Sequence, residues 1–211
     1  MGPAAIIRAL AVIAALFAIS GCSALSAIGD VSKALEVYEL RPPADVVAAR
    51  GRPLSTDVVV ELPTTSGALA TDRIMIRPNP LQAQYLPDVR WSEPTPVMVQ
   101  TLMLRAIEAS QAVRYVGRRP LGASGDYAIV TEIVDFQAEV ADNDETARVR
   151  MRIIVRLVRE DDASIAASRT FTADATAASL ETPALVAAFD AASNRLLSEF
   201  AVWVPAELAA R

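Results

Sequence analysis

Residues Thr71–Ser110 read TDRIMIRPNPLQAQYLPDVRWSEPTPVMVQTLMLRAIEAS, and the punctuation of this stretch organises the chain. Ile74 and Ile76 alternate with Arg73, Met75 and Arg77. That period predicts a short strand over Arg73–Arg77, isoleucines on one face and the other three residues opposite. Pro78 and Pro80 break it, because proline brings no N–H to a ladder. A second extended run follows over Leu81–Leu86, and Pro87-Asp88 turns the chain toward Trp91. Pro94-Thr95-Pro96 suits the opening turn of a helix, where the first N–H groups are unpaired in any case. The helix, from Pro96 to about Ser110, has a polar stripe at Thr101, Arg105 and Glu108 and an apolar face at Val99, Leu102, Met103 and Ala106.

Upstream, Val37–Leu40 and Val58–Leu62 read as strands, with loops over Arg41–Pro53 and Thr64–Thr71. Downstream, Val113–Val116 is a short strand. Tyr127–Val140 and Arg148–Arg159 make a hairpin around a polar turn. Val134, Phe136, Ala138 and Val140 oppose Asp135, Gln137 and Glu139 on the first of these strands. On the second, Val149, Met151, Ile153, Val155 and Leu157 face in, while Arg148, Arg150, Arg152 and Arg156 face out. Carboxylates on one strand thus lie near arginines on the other, a pairing worth about 0.2–1 kcal/mol for each pair. Ala166–Ala173 returns as a third antiparallel strand. A helix follows from an N-cap at Thr182, with Pro183 at its first position, to about Val204, where Pro205 ends it. Its apolar stripe is Leu185, Phe189, Ala192, Leu196, Phe200 and Trp203, with Asp190, Asn194 and Ser198 on the far side. This order predicts an α+β fold: a single domain with a largely antiparallel β-sheet and two helices packed on one face.

The beginning of the chain reads differently. Arg8 precedes an uncharged apolar run, Ala9–Ile19, too short to span a bilayer as a mature helix. Ile19-Ser20-Gly21-Cys22 resembles the lipobox of bacterial lipoproteins. That resemblance implies that residues 1–21 are a cleaved signal peptide and that Cys22 becomes a multiply acylated first residue. The alternative is an uncleaved anchor ending in an ordinary cysteine. Cys22 is the only cysteine, so no intrachain disulfide can form, whereas a lipid attachment point needs no partner. Residues 22–36 read as a tether and 37–206 as the folded domain. Ser23 stands where, by resemblance to enterobacterial lipoproteins, an aspartate would favour the inner membrane; its absence favours the outer one.

Composition narrows the function classes. The chain has 211 residues, 20 Lys plus Arg, 25 Asp plus Glu and a net charge of −5, which gives it no general attraction for nucleic acid. Histidine is absent, removing the commonest general base and the commonest transition-metal ligand. The single lysine, Lys33, sits in the tether. No phosphate-cradling glycine loop or nucleophile-elbow motif occurs. The residues therefore give no reason to expect an enzyme, a metal or a cofactor. Carboxylate chemistry through Asp135, Glu139 and Asp142 survives as a rival, but it would need two acids converging in one pocket.

The opening stretch also carries a family resemblance. Asp72-Arg73-Ile74-Met75-Ile76-Arg77, then Gln84-Tyr85-Leu86-Pro87 with Arg90-Trp91, then Ser92-Glu93-Pro94-Thr95-Pro96 running into an apolar helix, resemble the ABC-type transport auxiliary lipoproteins, the PqiC-like family. The order of elements fits from about Val37 to the C-terminus. The resemblance implies a non-catalytic, lipid-anchored periplasmic component of a system moving lipids or other hydrophobic cargo between inner and outer membranes. It implies an MCE-domain (MlaD-like) protein and an ABC permease or ATPase as partners, and a homo-oligomeric ring. An envelope scaffold or assembly lipoprotein unrelated to transport would share the anchor and the fold. The candidate contact residues are Arg73, Arg77, Tyr85, Arg90 and Trp91. Arg73 and Arg77 could bind an anionic headgroup or a partner's carboxylate, or could be solvated strand edges. Tyr85 and Trp91 could be core anchors or a contact pair, with Trp91 the better fit to the core.

Overall fold

The computed structural model describes residues 35–49, 51–142 and 145–210. The expectations for residues 1–34, Cys22 and Lys33 among them, lie outside these residues. From Val37 onward the chain forms one compact unit. Its elements, in order, are β1 (Glu36–Tyr38), β2 (Leu54–Val60), β3 (Thr64–Thr65), β4 (Met75–Asn79), β5 (Gln82–Tyr85), β6 (Val89–Trp91), α1 (Thr95–Ser110), β7 (Val113–Gly117), β8 (Tyr127–Val140), β9 (Ala147–Arg159), β10 (Ile165–Ala177) and α2 (Thr182–Ala209).

Strand β8 is the axis. Along one edge it pairs antiparallel with β9, from Tyr127↔Arg159 to Val140↔Ala147. Along the other edge three short strands dock in succession, all parallel to it: β2 at Tyr127–Ile129, β3 at Glu132–Ile133 and β4 at Ala138–Glu139. β10 continues the meander beyond β9, β7 runs parallel to β2, and β5 folds back antiparallel on β4. β1 and β6 form a separate two-stranded sheet. The fold is α+β, as the element order predicts. Antiparallel ladders hold most paired positions, but the sheet is mixed. Parallel neighbours need a long crossover, and the chain supplies one for β2 and β7 through α1.

The helices pack against each other and on one face of the sheet, α2 over β9 and β10, α1 against β7 and β2. Their apolar stripes are buried as read, from Val99, Leu102, Met103 and Ala106 to Leu185, Phe189, Ala192, Leu196, Phe200 and Trp203. Two aromatic clusters dock α2. Trp91, Phe136 and Phe189 meet with ring centroids 5.3–6.2 Å apart, Trp91 edge-on to both phenylalanines. Phe171 of β10 meets Phe200 and Trp203 edge-on at 6.0 and 5.4 Å. Such pairs add roughly 0.5–1.5 kcal/mol each beyond the area they bury.

Several expectations are corrected. The register passes from Ile133↔Ile153 to Asp135↔Arg152, so Val134 is the extra residue of a β-bulge and does not share a face with Phe136. The bulge changes phase: Ile129, Thr131 and Ile133 are buried before it, Phe136 and Ala138 after it. β4 starts at Met75, two residues later than predicted. Ile74 and Met75 are both buried, because this segment covers the end of the core before it joins the sheet at Ile76. Pro78 lies inside β4, at the irregularity between Ile76 and Asn79 and past the last pair with β8, where no ladder N–H is required. β3 falls in a predicted loop; Thr64 and Thr65 hold it by hydroxyl bonds to the carbonyls of Thr131 and Ile133, at 3.4 and 2.9 Å. α2 caps at Glu181 rather than Thr182 and runs through Pro205 to Ala209, three residues past position 206. Burial of Trp203, Val204 and Leu208 offsets the helix bond that Pro205 forfeits.

Asp190 is the other correction. It lies on the covered side of α2, its side chain only 12% exposed. Arg41, in the segment after β1, closes over it: the Arg41 backbone N–H donates to Oδ1 at 3.0 Å and Nε to Oδ2 at 3.1 Å, with Nη2 on the same oxygen. Burial alone would push the Asp190 carboxyl up; the hydrogen bonds and charge of Arg41 outweigh it and hold the pKa below the ordinary carboxylate value.

Two outcomes follow for stability. Trp91→Ala should lower the unfolding free energy by about 3–5 kcal/mol, the cost of emptying a large core site; a denaturant midpoint unchanged from wild type would remove Trp91 from the core. Asp190→Asn should cost about 1–3 kcal/mol at neutral pH. A depressed carboxyl contributes stability above its unfolded pKa and loses it as pH falls through the folded value. The gap between wild type and Asp190→Asn should therefore close below about pH 4, read by urea melts across pH; a gap constant with pH would show that Asp190 is not held ionised.

Candidate functional site

The bulge at Val134 decides what the end of β8 presents on each face. With Phe136 and Ala138 turned to the helices, Asp135, Gln137 and Glu139 lie on the opposite face of the sheet. The β4–β5 hairpin rises beside them. Together they bound a cleft of about 570 Å3, within the range of ligand sites. Arg77, Pro78, Asn79 and Pro80 form one wall. Asp135, Gln137, Glu139 and Val140 of β8, with Arg150 of β9, line the floor, and Ala141 and Asp142 close the end at the β8–β9 turn.

Most of its charge is answered internally. Arg152 Nε lies 2.7 Å and Arg150 Nε 3.5 Å from Asp135 Oδ2, both charge contacts rather than aligned hydrogen bonds. Gln137, 3% exposed, accepts the Phe136 N–H at 2.8 Å and donates Nε2 to Asp135 at 3.3 Å and Glu139 at 3.1 Å. Arg148, opposite Glu139 in register, donates to Asp174 at 2.7 Å. That bond, with a smaller pull from Glu139, raises the Arg148 pKa above its ordinary value. Arg77 donates Nη1 to the Pro80 carbonyl at 3.2 Å, while its enclosed Nε has no hydrogen-bond partner among the described residues.

The five candidate residues do not form one patch. Arg77 lines the cleft. Arg73 is exposed and stacks over the Tyr85 ring, 5.0 Å from its centroid; half-buried Tyr85 donates its hydroxyl to Ala68 O at 2.8 Å. Arg90 is exposed and pairs with Asp72 at 3.4 Å. Trp91 is 1% exposed and is no contact residue: its ring is enclosed by Phe136 and Phe189. Asp135, Glu139 and Asp142, the acids of the rival carboxylate reading, border the same cleft. Gln137 and Arg150 join them there. The strand period put both on the outer face, but the parallel contact Arg77↔Glu139 that makes a cleft of that face is long-range. The small basic group around residues 114–119 is engaged elsewhere, Arg114 with Asp57 at 2.7 Å and Arg118 with Gln100 and Thr101.

Chemically, the cleft is a place to hold a polar group. Asp135 has arginine neighbours and Glu139 an amide one, and among the described residues no group of three or more His, Cys, Asp or Glu is placed to hold a metal ion. No helix among those residues is long and apolar enough to cross a membrane.

Comparison with known proteins gives the setting. A family model described as ABC-type transport auxiliary lipoprotein component matches residues 38–201. The uncharacterised protein bll6063 of Bradyrhizobium diazoefficiens is 29% identical over 169 residues, covering 79% of this chain but 44% of its own length; the chain thus spans less than half of that relative. The crystal structure of XCC0632 from Xanthomonas campestris superposes with a TM-score of 0.72 at 25% identity, over 82% of this chain and 97% of that one. A second crystal structure, of an uncharacterised protein, shares the fold at 12% identity and a TM-score of 0.60, over 81% and 98% of the two chains. A match that runs from the first strand well into the last helix decides the matter: the chain belongs to the ABC-type transport auxiliary lipoprotein component family.

Proposed function

We propose that this protein is a non-catalytic, lipid-anchored periplasmic component of an ABC/MCE-type system that moves lipids or other hydrophobic cargo between the inner and outer membranes. The observation that carries the proposal is the extent of the family match, residues 38–201, which takes in the sheet and most of α2. Cys22 is acylated after removal of residues 1–21 and holds the domain on the periplasmic side of the outer membrane through residues 22–36. Two or more acyl chains make such anchoring durable, where one would be marginal. An MCE-domain protein and the ABC permease or ATPase of the same system are the partners, and copies of the chain assemble into a ring. Arg73, Arg77, Tyr85 and Arg90 are the contact residues of this reading, Arg77 within the cleft and the others outside it. A binding role in place of catalysis is supported by the absence of histidine and by the engagement of Asp135 with Arg150 and Arg152.

The test is affinity capture of the full-length lipoprotein from gently solubilised membranes, with Cys22→Ala as control. Recovery of an MCE-domain protein or ABC permease with the wild type, and its loss with Cys22→Ala, is the expected result. Repeated capture of cell-wall or outer-membrane assembly proteins alone would refute the transport role and leave an envelope scaffold. Intact-mass measurement should show acylation on Cys22 as first residue; a free thiol there would remove the anchor.

A further inference from the structure

We infer that the cleft beside the β4–β5 hairpin binds a phosphoethanolamine headgroup, with the phosphate on Arg77 and the ammonium between Glu139 and Asp142. The choice of a phospholipid as its source rests on the lipid-transport reading above.

The charges point to a zwitterion. Asp135 is taken by Arg152 and Arg150. That leaves a cation, Arg77, on one wall, facing the carboxylates of Glu139 and Asp142. An anion alone would meet two carboxylates, and a cation alone would meet Arg77; a molecule carrying both charges satisfies each side. The spacing suits it too. Arg77 and Glu139 are register partners on neighbouring parallel strands, so their side chains rise side by side from one face of the sheet into the cleft, and one small molecule can reach both. Arg77 donates Nη1 to the Pro80 carbonyl and, among the described residues, forms no ion pair, so its charge is not answered by a carboxylate. A phosphate engages a guanidinium through paired charge-assisted bonds.

The same lining selects against choline. Quaternary ammonium groups are recognised by aromatic cages, and among the described residues no aromatic side chain lines the cleft. Carboxylates instead reward an ammonium that still has N–H donors. The rim fits a lipid: Leu81, at the turn between β4 and β5, is 98% exposed, and residues 78–87 carry no charge. A headgroup in the cleft would leave its glycerol and chains on this uncharged edge.

The experiment is calorimetric titration of the full-length lipoprotein, in detergent free of phospholipid, with glycerophosphoethanolamine, glycerophosphocholine and glycerol 3-phosphate. The first should bind and the other two should bind at least roughly tenfold more weakly, as should the first to Arg77→Gln and to Glu139→Gln, the size expected for loss of one charge-assisted bond. Leu81→Ser should leave this titration unchanged and reduce crosslinking of a photoactivatable phosphatidylethanolamine to residues 79–82. Equal or absent binding of the three compounds, or wild-type binding by both charge variants, would overturn the assignment. Binding of glycerophosphoethanolamine without lipid crosslinking would overturn the lipid source. The two readings fail separately: a protein that captures its transporter but fails the titration loses only the cleft assignment, and one that binds the headgroup but captures no transporter loses only the transport role.

Discussion

The structure depends on the pairing capacity of one strand. β8 is fourteen residues long, and both its edges are occupied: one by β9 along its whole length, the other by β2, β3 and β4 in turn. A strand in this position must satisfy its backbone groups along two edges and its side chains on two faces. Its β-rich composition, from Ile129 to Val140, fits that demand. The three short parallel strands could not stand alone; two to seven residues each, they take their order from the strand they join.

The bulge at Val134 gives that axis two halves with different roles. Before it, odd-numbered residues fill the core; after it, even-numbered ones do, and Phe136 meets Trp91 and Phe189 where β6, β8 and α2 converge. The phase change sends Asp135, Gln137 and Glu139 to the far face, beside the arginines of β9 and the β4–β5 hairpin. One added residue thus links the packing of α2 to the charge of the cleft. Gln137 ties the halves of that face together, bonding to the carboxylates on either side of it.

The local elements were legible in the sequence, and the long-range ones were not. Tyr127–Val140 was readable to the residue, because its apolar run is long and bounded by turn residues. The stripe from Leu185 to Trp203 was equally plain, since about five turns of helix buried along one side leave a strong period. Val134 was misplaced because a bulge has no composition signal when its residue is as β-prone as its neighbours. Thr64–Thr65 is too short to show a period and is held by hydroxyl bonds. Pro205 was read by its local habit, which tertiary burial overrides. Asp190 was placed with the polar face because nothing near it in sequence announces Arg41, 149 positions away, as its partner. The cleft follows the same rule: its floor was visible as an alternating charged face, and its wall, set by Arg77 beside Glu139, was not.

Native-state hydrogen exchange resolved along β8 tests this dependence most directly. If β8 is the axis, its amides from Tyr127 to Val140 should be among the slowest in the domain, exchanging only with global unfolding at the free energy measured by denaturant. The short strands β3 and β5 should open earlier. Exchange of β8 at a lower free energy than α1 or α2 would contradict it, placing the stable centre of the fold in the helix pair and making the sheet a dependent layer.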